Sequence, residues 1–140
     1  PAGPVYQAGT LSGNPVAMQA GLTQLRILKE HPEIYTELNA KADRFYTRLD
    51  EAAAKAPQGY HVNHIGSLGC LYFTKDPVVD YASAKTSDTK AFAQWFRYIF
   101  EKGYYIAPSQ FEAMFLSAAH TEEELGKMAE AAEAYFGALA

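Results

Sequence analysis

The stretch from Tyr60 to Thr74, YHVNHIGSLGCLYFT, decides the fold class of this 140-residue chain. It contains two runs rich in β-branched, aromatic and aliphatic residues, Tyr60–Ile65 and Leu68–Thr74, on either side of a Gly-Ser step. Such runs, separated by a turn signal, predict two neighbouring strands. The second run is apolar on both faces, and this pattern predicts a central strand of a sheet.

Helical segments flank these strands on both sides. Apolar residues recur at helical spacing in four segments, and residues that begin or end a helix mark their limits. The predicted helices are Met18–Leu28, ended near His31 by Pro32; Ile34–Leu49; Asp88–Lys102, ended by Gly103; and a last helix opened by a capping box at Thr121. Lys75–Ser87 is predicted to be a loop. Two further strands are predicted at Tyr104–Ala107 and Met114–Ala118.

This order of elements predicts an α+β fold, with a small, mostly antiparallel sheet and helices packed on one face. The length fits a single domain, residues 1–140. The formal charge of −4 argues against a nucleic acid or an anionic membrane surface as partner. No apolar run approaches the ~20 residues of a membrane span. Cys70 is the single cysteine, which excludes an internal disulfide and favours a reducing compartment.

A glycine- and hydroxyl-rich segment, YQAGTLSGNPVA, precedes the first helix. Asn14 followed by Pro15 is a helix-start signal, and Ser12 and Asn14 are interpreted as loop and cap. Ahead of them, Gly9 and Thr10 combine open backbone with a hydroxyl, a combination that suits an anion such as phosphate. The alternative is a capped helix with an entry loop and no ligand.

Glu112 is unusual because it lies between apolar runs in PSQFEAMFLSAAHTEEE, residues 108–124. A buried carboxylate is costly unless it is paired or protonated, so Glu112 indicates either a functional site or an exposed turn. His61 and His64 lie three positions apart on a predicted strand and therefore point to opposite faces. We therefore predict no metal site.

Two segments about 100 residues apart together resemble the glutamate-1-semialdehyde 2,1-aminomutases, which use pyridoxal phosphate and share a fold group with class III aminotransferases. They are VYQAGTLSGNPVAMQAG and APSQFEAMFLSAAHT. The middle of the chain, with GSLGCLYFT and VVDYASAKTSDTKAFAQWF, is similar to the same family in the same order.

The resemblance implies the C-terminal small domain of a fold type I pyridoxal-phosphate enzyme, with residues 1–31 as a dimer-crossing loop and connecting helix. The implied activity is the isomerisation of glutamate-1-semialdehyde to 5-aminolevulinate, in tetrapyrrole (haem and chlorophyll) biosynthesis. Family members are homodimers that act on a small molecule in the cytoplasm or the plastid stroma.

The resemblance also implies roles for individual residues. Gly9 and Thr10 would bind the cofactor phosphate across the dimer interface, Tyr6 would lie near the cofactor, and Glu112 would lie in the substrate region. The family's Schiff-base lysine belongs upstream of the Gly-Thr motif, so no catalytic residue is expected in this chain. None of its lysines lies in that context: Lys29, Lys41, Lys55, Lys75, Lys85, Lys90, Lys102 and Lys127. Alone, the chain is expected to be inactive and to lack the cofactor.

Two alternatives stay open. The chain could be the C-terminal domain of a class III aminotransferase, many of which carry an arginine here for the substrate carboxylate. The four arginines, however, all lie in predicted helices, and Glu112 occupies the turn instead. The second alternative is a non-catalytic α+β interaction module.

Overall fold

The computed structural model describes residues 3–5 and 8–140. The chain divides into two units, Pro1–Ile34 and Tyr35–Ala140, and each is described by itself. The boundary lies close to the end of the predicted crossing segment, residues 1–31. The role assigned to that segment stays a prediction.

The first helix, α1, lies within the first unit at Pro15–Glu30. Asn14 caps it, because the side-chain oxygen accepts hydrogen bonds from the backbone N–H groups of Val16 and Ala17. The predicted cap is confirmed. None of the residues of α1 is buried.

A second helix, α2, spans the unit boundary at Glu33–Ala53. The remaining elements follow in the order β1 His61–Ile65, β2 Leu68–Tyr72, α3 Tyr81–Ala84, α4 Thr89–Glu101, β3 Met114–Phe115 and α5 Glu122–Gly137. Among the described helices, none combines the length and the hydropathy that a membrane crossing needs.

The three strands form one antiparallel sheet in the order β1-β2-β3, which confirms β2 as the central strand. Its register with β1 joins Val62 to Leu71, and its register with β3 joins Gly69 to Met114. The predicted α+β class and the antiparallel sheet are both confirmed.

The core lies between one face of β2 and the three long helices of the second unit. Its members include Tyr46 and Leu49 from α2, Leu71 from β2, Trp95 from α4 and Phe136 from α5. Trp95 stacks on Phe136 with ring centroids 5.2 Å apart. The predicted packing of helices on one face follows from this single cluster.

Three local predictions were wrong. Tyr104–Ala107 is not a strand: the N–H of Tyr104 donates to the Ile99 carbonyl as part of the end of α4, and no described strand pairs with the segment. The strand predicted at Met114–Ala118 is only two residues long, since the ladder with β2 ends there. The predicted loop at residues 75–87 contains the short helix α3, which begins with a capping box of Asp80 and Ser83.

Candidate functional site

The Gly-Thr loop of the first unit is a tight turn. Ser12 N–H donates to the Gly9 carbonyl at 3.0 Å, and Asn14 N–H donates to the Leu11 carbonyl at 3.0 Å. A Cβ atom added at Gly9 would lie 2.9 Å from Ser12 Oγ. Glycine at this position therefore keeps the turn closed and its backbone open to a ligand.

The donors of this loop differ in their availability. The Asn14 side chain already accepts from the first N–H groups of α1, so the helix end is satisfied by its own cap. Thr10 is exposed, and in the part of the chain that the structure describes neither its N–H nor its hydroxyl has a hydrogen-bond partner. One exposed N–H and one adjacent hydroxyl fit an oxyanion such as a phosphate. Tyr6 lies outside the described residues.

Glu112 belongs to the second unit and lies in a turn that precedes β3. Its N–H donates to the Ser109 carbonyl at 3.1 Å, and its side chain is exposed. Glu112 therefore lies in an exposed turn, and its carboxylate is accessible to a ligand.

A cavity of about 470 Å³ opens beside Glu112. Its walls are mainly aromatic and aliphatic, and its polar lining includes Glu112, His120 and Glu124. Two hydrogen bonds from Thr121 lower the pKa of Glu124, those from its N–H and its hydroxyl. His120 Nδ1 accepts from Ser117 N–H at 2.9 Å and so lies in the turn that leads into α5.

The underside of the Glu112 turn is anchored to the sheet. Gln110 is only 2% exposed, and its Nε2 donates to the Leu71 carbonyl at 2.8 Å. Cys70 lies on the face of β2 opposite Leu71, and its Sγ contacts the carbonyl oxygens of Gln110 at 3.5 Å and of Glu112 at 3.8 Å. Burial raises the pKa of the Cys70 thiol. Sequence reasoning missed Gln110, because a glutamine in a short loop carries no periodic signal.

The histidines of β1 contact different neighbours. His64 Nε2 lies 3.2 Å from Asp43 Oδ1, and its ring stacks on Tyr46. The His61 ring lies 6.3 Å from that of Tyr72. Within residues 3–5 and 8–140, no group of three or more metal-ligating side chains comes together.

Comparison with curated proteins finds relatives that share about half of their residues with the chain. It is 54% identical over 125 residues to glutamate-1-semialdehyde 2,1-aminomutase 2 of Lachnoclostridium phytofermentans, covering 89% of this chain and 29% of the relative. The enzyme of Deinococcus radiodurans is 51% identical over 139 residues, covering 97% of this chain and 31% of the relative. Over most of its own length, the chain is therefore similar to the glutamate-1-semialdehyde 2,1-aminomutases. No protein-family profile matches it.

The chain spans about a third of the length of these aminomutases, and it corresponds to their C-terminal portion. Solved structures show the same fold. An omega-transaminase from Sphaerobacter thermophilus matches with a TM-score of 0.82 at 24% identity, covering 95% of this chain and 30% of that one. A transaminase with bound pyridoxal phosphate matches with a TM-score of 0.76 at 23% identity, covering 96% and 30%. The fold is therefore that of the C-terminal domain of a fold type I pyridoxal-phosphate enzyme.

Proposed function

We propose that this chain is part of a pyridoxal-phosphate-dependent enzyme that isomerises glutamate-1-semialdehyde to 5-aminolevulinate for tetrapyrrole biosynthesis. The observation that carries the proposal is the identity of 48–55% with eight aminomutases over 89–99% of this chain. Since the chain spans a third of their length, the activity belongs to the complete protein. A bacterial strain that lacks its own aminomutase tests the proposal: the complete protein should restore growth without added 5-aminolevulinate, and failure despite soluble expression counts against it.

Gly9 and Thr10 are proposed to bind the cofactor phosphate. The closed turn at Gly9 supports this role, as does the hydroxyl of Thr10, which has no hydrogen-bond partner among the described residues; both suit a phosphate oxygen. When bound, pyridoxal phosphate supplies the electron sink, and the lysine that attaches it is expected outside these 140 residues. This chain's own contribution is then to hold and orient the phosphate. Tyr6 is proposed to lie close to the same cofactor.

The phosphate role predicts a specific loss on removal of the Thr10 hydroxyl. Thr10→Val in the complete protein should weaken pyridoxal phosphate binding about ten- to one-hundred-fold, the loss of one hydrogen bond to a charged group. Titration of the apoprotein with the cofactor, followed by visible absorbance, measures the change. Thr23→Val is the matched control, since the Thr23 hydroxyl donates within α1 to Gln19. Equal affinities in all three proteins would refute the assignment.

Glu112 is proposed to select the substrate. A carboxylate at the rim of the cavity repels a second carboxylate on a ligand, so it favours a substrate with one carboxylate and two amino-bearing carbons. Glu112→Gln should raise kcat/KM for dicarboxylic amino acids relative to glutamate-1-semialdehyde. Glu130→Gln, at an exposed position on α5, is the control. Unchanged kinetics and unchanged discrimination in Glu112→Gln would remove this role.

The closest rival function is that of a class III aminotransferase; the likeness to solved transaminases, at 23–24% identity, concerns the fold alone. Against it, Arg48 pairs with Glu133 at 2.9 Å and Arg44 pairs with Glu122, so both arginines are engaged with α5. A homodimer in the cytoplasm, or in the stroma of a plastid, completes the proposal. A non-catalytic interaction module is the remaining rival, and no specific observation favours it.

A further inference from the structure

We propose that Gln110 is a positioning residue that holds Glu112 toward the substrate, an inference that rests on the proposed role of Glu112. The inference is based on the point at which the backbone hydrogen bonding between β2 and β3 ends. The two strands pair only at Leu68 with Phe115 and at Gly69 with Met114. Continued by two residues along each strand, this register would set Leu71 opposite Glu112.

The Leu71 carbonyl lies on the edge of β2 that faces away from β1. On the β1 side its partner is Val62, whose N–H donates to Asp50 Oδ1 at 2.7 Å instead of joining the ladder. The Val62–Leu71 pair is therefore of the non-hydrogen-bonded type, and the backbone groups of Leu71 point toward the side of β3. If the ladder continued, the Glu112 N–H would donate to this carbonyl.

Gln110 takes the place of that missing ladder bond. Its side-chain Nε2 donates to the Leu71 carbonyl, while the Glu112 N–H turns to the Ser109 carbonyl within the loop. The exchange gives a buried carbonyl a nitrogen donor, where otherwise only the weak donor Cys70 Sγ approaches it, at 3.9 Å, and it stops Glu112 from becoming a strand residue. Glu112 is thus free to project at the rim of the cavity.

The burial of Gln110 marks this contact as specific rather than incidental. At 2% exposure it is one of three buried polar residues among those the structure describes. Its Oε1 is buried without a hydrogen-bond partner, although an unpaired buried acceptor is costly. The glutamine is therefore held at this position by what its Nε2 binds. Cys70 Sγ contacts the carbonyls of Gln110 and Glu112 from below, so the turn rests on β2 at more than one point.

The test uses the complete enzyme with Gln110→Met, which keeps the side-chain volume and removes the donor. Gln110→Asn is the second variant, because its amide is one methylene too short to reach the Leu71 carbonyl. Amide hydrogen exchange at residues 111–113 should accelerate in both variants, and the kcat/KM for glutamate-1-semialdehyde should fall about ten-fold or more. Ile99→Val, a core change remote from the turn, controls for a general loss of stability. Unchanged exchange at residues 111–113 would overturn the proposal, as would an equal kinetic loss in the Ile99→Val control.

A double-mutant cycle separates positioning from a merely structural role. If Gln110 acts through Glu112, the kcat/KM for glutamate-1-semialdehyde should be no lower in the Gln110→Met/Glu112→Gln enzyme than in Glu112→Gln alone. The two enzymes should also discriminate equally against dicarboxylates. Additive losses would overturn the positioning role. If Glu112→Gln alone changes nothing, the proposed function of Glu112 has failed, and the anchoring by Gln110 is then judged on hydrogen exchange alone.

Discussion

Gly69 lies directly beneath the ring of Tyr46, and this contact fixes the distance between α2 and the sheet. A Cβ atom added at Gly69 would lie 2.4 Å from Tyr46 Cε1, which is closer than non-bonded carbon atoms come in folded proteins. Tyr46 itself is fully buried, and its hydroxyl is shared between the carbonyls of Met114 and Ser67, at 3.1 and 3.3 Å. One tyrosine therefore ties α2 to the turn between β1 and β2 and to β3.

Gly69→Ala should lower the free energy of unfolding of the complete protein by about 1–3 kcal/mol, because overpacking forces the Tyr46 ring or the backbone to move. Thermal or urea unfolding measures the loss. Gly126→Ala is the matched control: its Cβ would meet only Arg48 Nη1 at 4.0 Å, and alanine favours a helix. Similar stability of the two variants would contradict the packing described here.

Tyr46 also predicts a pH dependence. Burial, and secondarily the Cys70 thiol, raise the pKa of Tyr46 above its ordinary value of 10.0. In the unfolded chain this phenol loses its proton near pH 10, while in the folded protein it keeps it. The stabilisation that the raised pKa of Tyr46 contributes is therefore present below pH 10, and it is lost as the pH rises above 10.

Tyr46→Phe should accordingly flatten the fall in the free energy of unfolding between about pH 9 and 11. The loss of the hydroxyl's hydrogen bonds appears as a separate, constant difference at neutral pH. Urea unfolding at several pH values resolves both effects. Tyr60, Tyr72 and Tyr135 also have raised pKa values, so part of the fall remains. An equally steep fall in the variant would show that Tyr46 ionises freely in the folded protein.

At the scale of the element, α5 shows how strongly a local signal can determine a boundary. Thr121 Oγ accepts from Glu124 N–H at 3.2 Å, and Glu124 Oε2 accepts from Thr121 N–H at 2.8 Å. This reciprocal box was predicted from the sequence, and it begins the helix that carries Leu125 and Phe136 into the core. The boundary follows from two side chains.

Thr121→Ala should therefore lower the free energy of unfolding by about 1 kcal/mol, the usual cost of a lost N-cap. Thr36→Ala, at an exposed position within α2, provides the comparison, and it should change stability by a few tenths of a kcal/mol at most. Circular dichroism during thermal unfolding measures both variants. A Thr121→Ala protein as stable as the Thr36→Ala protein would mean that the cap contributes nothing.

The same elements show the limits of reading structure from sequence. The long helices and the central strand carry periodic or continuous apolar patterns, and these were predicted. The box of Asp80 and Ser83 uses the same chemistry as that of α5, but α3 has only four residues and no apolar stripe to identify it. Tyr104–Ala107 has the composition of a strand, yet pairing is a long-range property that composition does not determine.

The candidate site was predictable to a similar extent. Glu112 stands out because it interrupts apolar runs, and Gly9 and Thr10 stand out in a helix-entry loop. Gln110 does not, because its importance depends on the register between β2 and β3. Residues that act through a backbone carbonyl of another strand become visible only when the fold is known.

At the scale of the whole molecule, the two units differ in how much apolar surface they bury. The second unit has a continuous core, whereas α1 has no buried residue and leaves Met18 and Leu25 more than half exposed. A 16-residue helix without packing is marginal in water. In the isolated 140-residue chain, the amides of α1 should exchange their hydrogens with solvent faster than those of α2. In the complete protein, the α1 amides should exchange more slowly than in the isolated chain. Equal protection of α1 and α2 in the isolated chain would contradict this expectation.

One assay distinguishes the proposed aminomutase from an aminotransferase. The purified complete protein is loaded with its pyridoxal cofactor and given glutamate-1-semialdehyde without any added amino donor or keto acid. For an aminomutase, 5-aminolevulinate should form in an amount equal to that of the substrate consumed. Turnover that requires a separate amino donor or keto acid would identify an aminotransferase instead and would refute the proposed activity.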